Sequence, residues 1–164
     1  MAAYDVEPWS ELFVATAGAG AALAGLVFVA VSINIDRILK LPGVPERGVG
    51  TVGALIVVVV VSLVGLVPGQ SNVAVGIELL VVAIAFAFTN ARLWPRVRPE
   101  RGSPLSWTVS RIAVHAIVIV PLAVGAFGLI AEAGGGLYWI AAALVGAIVG
   151  AVTTAWVLMV EILR

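Results

Sequence analysis

The sequence predicts an all-α fold, a polytopic transmembrane helix bundle of five spans forming one integral membrane domain over residues 1–164. Two observations predict it. Hydrophobic residues make up 62% of the chain against 11% charged, with a mean hydropathy of +1.18, which no water-soluble core requires. The apolar residues also gather into five runs of about 20 residues, the length of a bilayer-crossing helix, parted by segments rich in Pro, Gly and Arg. The expected spans are 10–35, 49–68, 72–92, 107–132 and 137–162. Lipid cannot satisfy a backbone N–H or C=O, so each run is expected to close its hydrogen bonds internally as a helix.

The first run, from Trp9 to Arg37, reads as the hub of the bundle. Between Leu12 and Ile35 its only polar side chains are Thr16, Ser32 and Asn34. Such a stretch covers about 36 Å at the α-helical rise, enough to cross the hydrocarbon with some tilt. Ala and Gly fill it from Ala15 to Gly25, and Gly18, Ala22, Gly25, Val29 and Ser32 share one face. Small residues let membrane helices approach closely, so this slim helix is expected at the centre.

A loop from Asp36 to Gly48 follows, then a run whose Val57–Val61 would suit a strand in water but is held helical by lipid. Pro68-Gly69 ends that run, and the short PGQSN turn makes the second and third spans an antiparallel hairpin. Ser71 or Asn72 is expected to cap the third helix, which Glu78 alone interrupts before Thr89 and Asn90. The stretch RLWPRVRPERGSPLSW, with three prolines, is expected at the surface. In the fourth run Pro121 frees the carbonyl of Ile117, and a kink is expected there. The fifth run opens on the interfacial pair Tyr138 and Trp139 and contains Gly146 and Gly150 in GxxxG spacing, a motif that serves dimerisation or packing within one bundle.

Basic residues set the orientation, because short loops rich in Lys and Arg stay cytoplasmic. Arg37, Lys40 and Arg47 follow the first span, Arg92, Arg96, Arg98, Arg101 and Arg111 lie between the third and fourth, and Arg164 follows the last. Asp5, Glu7, Glu11 and Glu132 mark the opposite side. The N-terminus is therefore expected outside and the C-terminus inside, which an odd number of spans permits. The acidic start is unlike the basic region of a signal peptide, so the first helix is expected in the mature protein.

The chemistry available is sparse. Without cysteine there is no disulfide, thiolate metal site or thiol nucleophile, and one histidine makes no metal cluster. No paired carboxylates and no serine with an evident base point to an enzyme. The glycine clusters at Gly18–Gly20 and Gly134–Gly136 lack the Lys-Ser/Thr of a phosphate loop, so no cofactor is expected. The Arg-rich loop, flanked by Trp94 and Trp107, suits anionic lipid headgroups; nucleic acid is not an expected partner.

Two ionisable residues fall within spans, where charge is costly and function is the default hypothesis. Glu78 is either a protonatable site or a carboxylate near water and the helix N-terminus. His115, one turn from Arg111, either moves a proton or bonds at the interface. By helical rise, Asn34, Asp36, Arg37, Asn90, Arg92 and His115 lie near one depth, and together they form the candidate polar cluster. The middle layer is nearly dry.

The hub with its SINIDRIL ending and the hairpin LVPGQSNVAVGIELLVV resemble small uncharacterised multi-pass bacterial membrane proteins. The resemblance implies the bacterial cell membrane and no activity. The expected role is packing, assembly or regulation, with the bilayer and either further copies of the chain or a larger membrane protein as partners. An oligomeric ion or proton channel or transporter using Glu78 and His115 is the alternative.

Overall fold

The computed structural model describes residues 3–40, 44–93 and 105–163, with 93, 105–114 and 157–163 described by backbone alone. Every regular element among them is helical. A 3₁₀ turn at Glu7–Trp9 leads into α1 (Ser10–Ile33); there follow α2 (Ile35–Ile38), α3 (Val44–Gly65), α4 (Asn72–Leu93), α5 (Leu105–Ala131) and α6 (Gly136–Leu163). The valine run at Val57–Val61 is helical, as a backbone without water requires. The stretches Glu7–Ile33, Val44–Gly65, Asn72–Arg92 and Gly136–Trp156 are long and apolar enough to cross a membrane, and α5 adds a shorter apolar segment, His115–Ala131. These are the helices of a multi-pass membrane protein.

Two boundaries differ from the sequence reading. The expected loop from Asp36 to Gly48 holds α2 and the first turn of α3. Pro45 lies in that turn, where its missing N–H costs nothing, and Glu46 adds an acid that the positive end of the helix favours. Helix α1 stops at Ile33 because Asn34 leaves the helical conformation, with φ −109° and ψ 16°, while its side-chain amide donates to Ala30 O at 2.9 Å. At the other end of the hairpin the cap is Ser71, whose Oγ accepts from Ala74 N at 3.2 Å. Helix α5 runs through Pro121 without interruption.

Helices α3, α4, α5 and α6 close a ring in which each packs on the next and α6 returns to α3. Helix α1 lies outside this ring, against α3 with a lesser contact to α6. The expected central hub is therefore peripheral, and α3 takes the centre. Only Phe13, Thr16 and Gly20 of α1 are buried, whereas α3 buries residues on several sides, among them Leu55, Val57, Val58, Val61 and Ser62. A slim helix supplies too little side-chain volume to fill a centre. Valine fills it at low entropic cost, since its χ1 is already fixed in a helix.

Close packing rests on Gly146, singled out from the sequence, and on several glycines that were not. A Cβ on Gly76 of α4 would stand 2.8 Å from Ala126 O, and one on Gly125 of α5 would stand 2.9 Å from Gly136 O. Gly128 and Gly136 meet across the same α5–α6 seam, and Gly20 receives Val58 and Val59. Gly18, Ala22, Gly25, Val29 and Ser32 instead face away from the bundle, and nothing lies within 4 Å of a Cβ built on Gly18 or Gly25. Gly146 lies against Ile117 of α5, with 3.3 Å from its Cβ position to Ile117 O. Half-buried Gly150 accepts the hydroxyls of Thr153 and Thr154 at its carbonyl, at 2.9 and 2.8 Å.

Candidate functional site

Polar side chains within the apolar helices gather at the two ends of the bundle. At the end carrying the α3–α4 and α5–α6 turns, the N-terminal segment folds back over α6. Leu137 N donates to Ala3 O at 3.1 Å and Gly135 N to Tyr4 Oη at 2.9 Å, so two amides at the start of α6 gain partners from the chain's first residues. Trp9 meets Tyr138 edge to face at 4.9 Å. The turn requires positive φ at Glu132 (49°), Gly134 (75°) and Gly135 (81°), and glycine adopts it freely at the latter two.

Glu78 belongs to this end. Its carboxylate is exposed and accepts from Gln70 Nε2 at 3.1 Å through both oxygens, while Asn72 Nδ2 donates to Glu132 Oε1 at 3.2 Å. The hairpin turn thus ties the acid to its own helix start, with no basic partner in these bonds. Gln70 was not among the residues the sequence singled out; its signal is the i, i+8 spacing across a helix start, which only the turn geometry turns into a contact.

The opposite end holds the other candidates. Gly50 on α3 makes room for two polar groups. A Cβ there would lie 3.6 Å from His115 Nε2 and 4.0 Å from Asn90 Oδ1, so α5 and α4 bring these side chains to one place. The His115 ring lies near-parallel to Phe86, with 6.3 Å between centroids and 24° between planes. Asn90 Nδ2 donates to Phe86 O at 2.8 Å. Exposed Arg92 holds its guanidinium 4.6 Å from the centre of the Phe88 ring, a cation–π contact. Asp36 and Arg37 are exposed on α2. Arg96, Arg98, Arg101, Trp94 and Arg164, and the side chains of Trp107 and Arg111, lie outside the described residues.

Of the expected cluster, Asn90 and His115 both come within 4.0 Å of the Cβ position of Gly50, and Asn34 shares with Asn90 a groove of about 1100 Å³. The groove runs along α3 and is walled by the C-terminal half of α1, by α2, by α4 and by Ala151–Trp156 of α6. Asn34, Thr89 and Asn90 are its amide and hydroxyl side chains, and each donates to the carbonyl four residues back on its own helix: Ala30, Ala85 and Phe86. The rest of the wall is almost wholly hydrocarbon.

Glu78 and His115 do not share a site. His115 lies beside Asn90, which is 12 residues beyond Glu78 on α4 or about 18 Å along its axis. Leu79, Ala83 and Phe86 are the buried residues of α4 over that distance. Among the described residues no three of His, Cys, Asp and Glu converge as a metal site. Comparison with protein-family models, curated proteins and solved structures gave no match.

Proposed function

We propose that the protein is a five-span integral membrane protein of the bacterial cytoplasmic membrane, N-terminus outside and C-terminus inside, that acts without catalysis as an assembly or regulatory subunit. One observation carries the reading: the face of α1 formed by Gly18, Ala22 and Gly25 is turned away from its own bundle. In lipid such a face lets another helix approach at backbone distance, so α1 is the surface by which the subunit meets another copy or a larger membrane protein. The separation of Glu78 from His115 by apolar packing supports this role over ion or proton conduction.

The cysteine-free chain makes the test direct. Single cysteines at Ala22 and, as a control, at exposed Phe127 on α5 are introduced into the full chain in native membranes and oxidised. The reading expects a cross-linked product from Ala22→Cys alone, reduced by Gly25→Leu in the same chain. Equal cross-linking at both positions removes it, and no product at Ala22 removes its form in which the partner is another copy. Proton or ion flux in liposomes that Glu78→Gln or His115→Ala abolishes would replace it with conduction. Labelling of cysteines at Glu7 and Lys40 from one side of the membrane tests the orientation.

A further inference from the structure

We propose that the groove beside α3 seats one acyl chain of an anionic phospholipid, with the headgroup held at its basic end. This lipid seat rests on the membrane assignment and not on the assembly role. A groove of about 1100 Å³ exceeds the usual range of small-ligand pockets. Its wall suits hydrocarbon. Asn34, Thr89 and Asn90 each give one N–H or O–H to a carbonyl of their own helix, and they are the only amide and hydroxyl side chains in the wall, so a polar solute would find few partners on entering.

Charge selects the headgroup. The groove ends at Ile35, Ile38, Leu39 and Gly48, and their chain neighbours are Arg37, Lys40 and Arg47; Arg92 follows Asn90 by two residues. Asp36 and Glu46 lie at the same end and the Arg92 guanidinium rests on Phe88, so among the described residues Arg37, Lys40 and Arg47 stand beside the mouth with two carboxylates and leave it net positive. An anionic headgroup is drawn to such a mouth and a zwitterionic one is not. Other lipid-facing surfaces of α1 and α4 are apolar too, but the groove unites a recess with that charge. Small residues stand exposed in its opposite walls: Ala30 of α1 and Ala85 of α4.

The full chain is reconstituted in vesicles of phosphatidylcholine with an equal share of phosphatidylglycerol. It is then extracted, and the retained lipid is counted by native mass spectrometry. Flotation with pure phosphatidylcholine vesicles first checks the membrane assignment on its own; a chain that fails to float loses both that assignment and the lipid seat. For a chain that floats, one retained phosphatidylglycerol in preference to phosphatidylcholine is expected. Ala85→Phe and Ala30→Phe, which narrow the groove from opposite walls, are each expected to abolish retention. Lys40→Gln is expected to lower the preference roughly five-fold, the share of one basic side chain near an anionic surface. Equal retention of the two lipids, retention undiminished in both phenylalanine variants, or a lipid-free dimer would overturn the proposal.

Discussion

Thr16 on α1 and Ser62 on α3 share a hydrogen bond of 2.8 Å in the buried contact between these two helices. Thr16 Oγ1 already donates to Leu12 O at 2.8 Å, with Phe13 O at 3.2 Å sharing the proton. A hydroxyl has one proton, so Ser62 is the donor of the interhelical bond. Ser62 is fully buried, and this bond fixes where along α3 the slim α1 rests.

Ser62→Ala is expected to cost about 0.6–1.7 kcal/mol, the range for interhelical bonds in membranes. Thr16→Val is expected to cost more, about 1–3 kcal/mol, because it leaves the buried Ser62 donor without its acceptor. Reversible unfolding in mixed micelles checks both values. A double-mutant cycle with no coupling between the two sites would show that the bond does not hold α1 to α3.

Gly76 and Gly25 are expected to respond in opposite ways to one substitution. Gly76→Val places side-chain atoms against the backbone carbonyl of Ala126, 2.8 Å from its Cβ position, and backbone cannot yield. Overpacking of this kind costs about 1–3 kcal/mol or more. Gly25→Val meets open space, and the unfolding midpoint of the isolated chain is expected to stay unchanged. Thermal unfolding in detergent separates them; equal losses would mean that α1 is packed elsewhere than on α3.

Phe13 covers Gly65 so closely that a Cβ there would fall 2.7 Å from Cε2 of the ring. Gly65→Ala is therefore expected to destabilise the α1–α3 contact by about 1–3 kcal/mol, and Phe13→Leu in the same chain to recover part of the loss. A double variant less stable than Gly65→Ala alone would show that the alanine is accommodated by helix movement instead.

Tyr4→Phe removes the hydroxyl that accepts from Gly135 N while keeping the ring that packs on the core. The expected loss is about 0.5–1.5 kcal/mol. Hydrogen exchange gives the sharper measure. The amides of Gly135 and Leu137 are expected to exchange faster while those of α3 keep their protection; unchanged exchange at both would show that the N-terminal segment does not close this turn.

Much of the fold was legible in the sequence because lipid admits few backbone structures. The helices at Val57–Val61 and through Pro121 follow from the need to satisfy peptide groups without water. The start of α3 at Val44 was hidden because Pro45 and Gly48 read as loop, although proline suits a first turn and Gly48 is buried among neighbouring helices. Gly50 is the clearest case at the candidate site. Its value is the space it leaves for Asn90 and His115, which depends on two helices distant in sequence.

By itself the sequence determined that the chain is helical, apolar and divided into bilayer-length segments, since composition and run length need no knowledge of neighbours. Only the tertiary structure decided that α3 is central and α1 peripheral, and that Gly20 packs inward while Gly18, Ala22 and Gly25 face out. The reason is physical. In water an apolar stripe marks the buried face of a helix, but in a bilayer both surroundings are apolar, so hydropathy ceases to distinguish inside from outside. What remains is the fit of side chains between helices, which exists only once they are assembled.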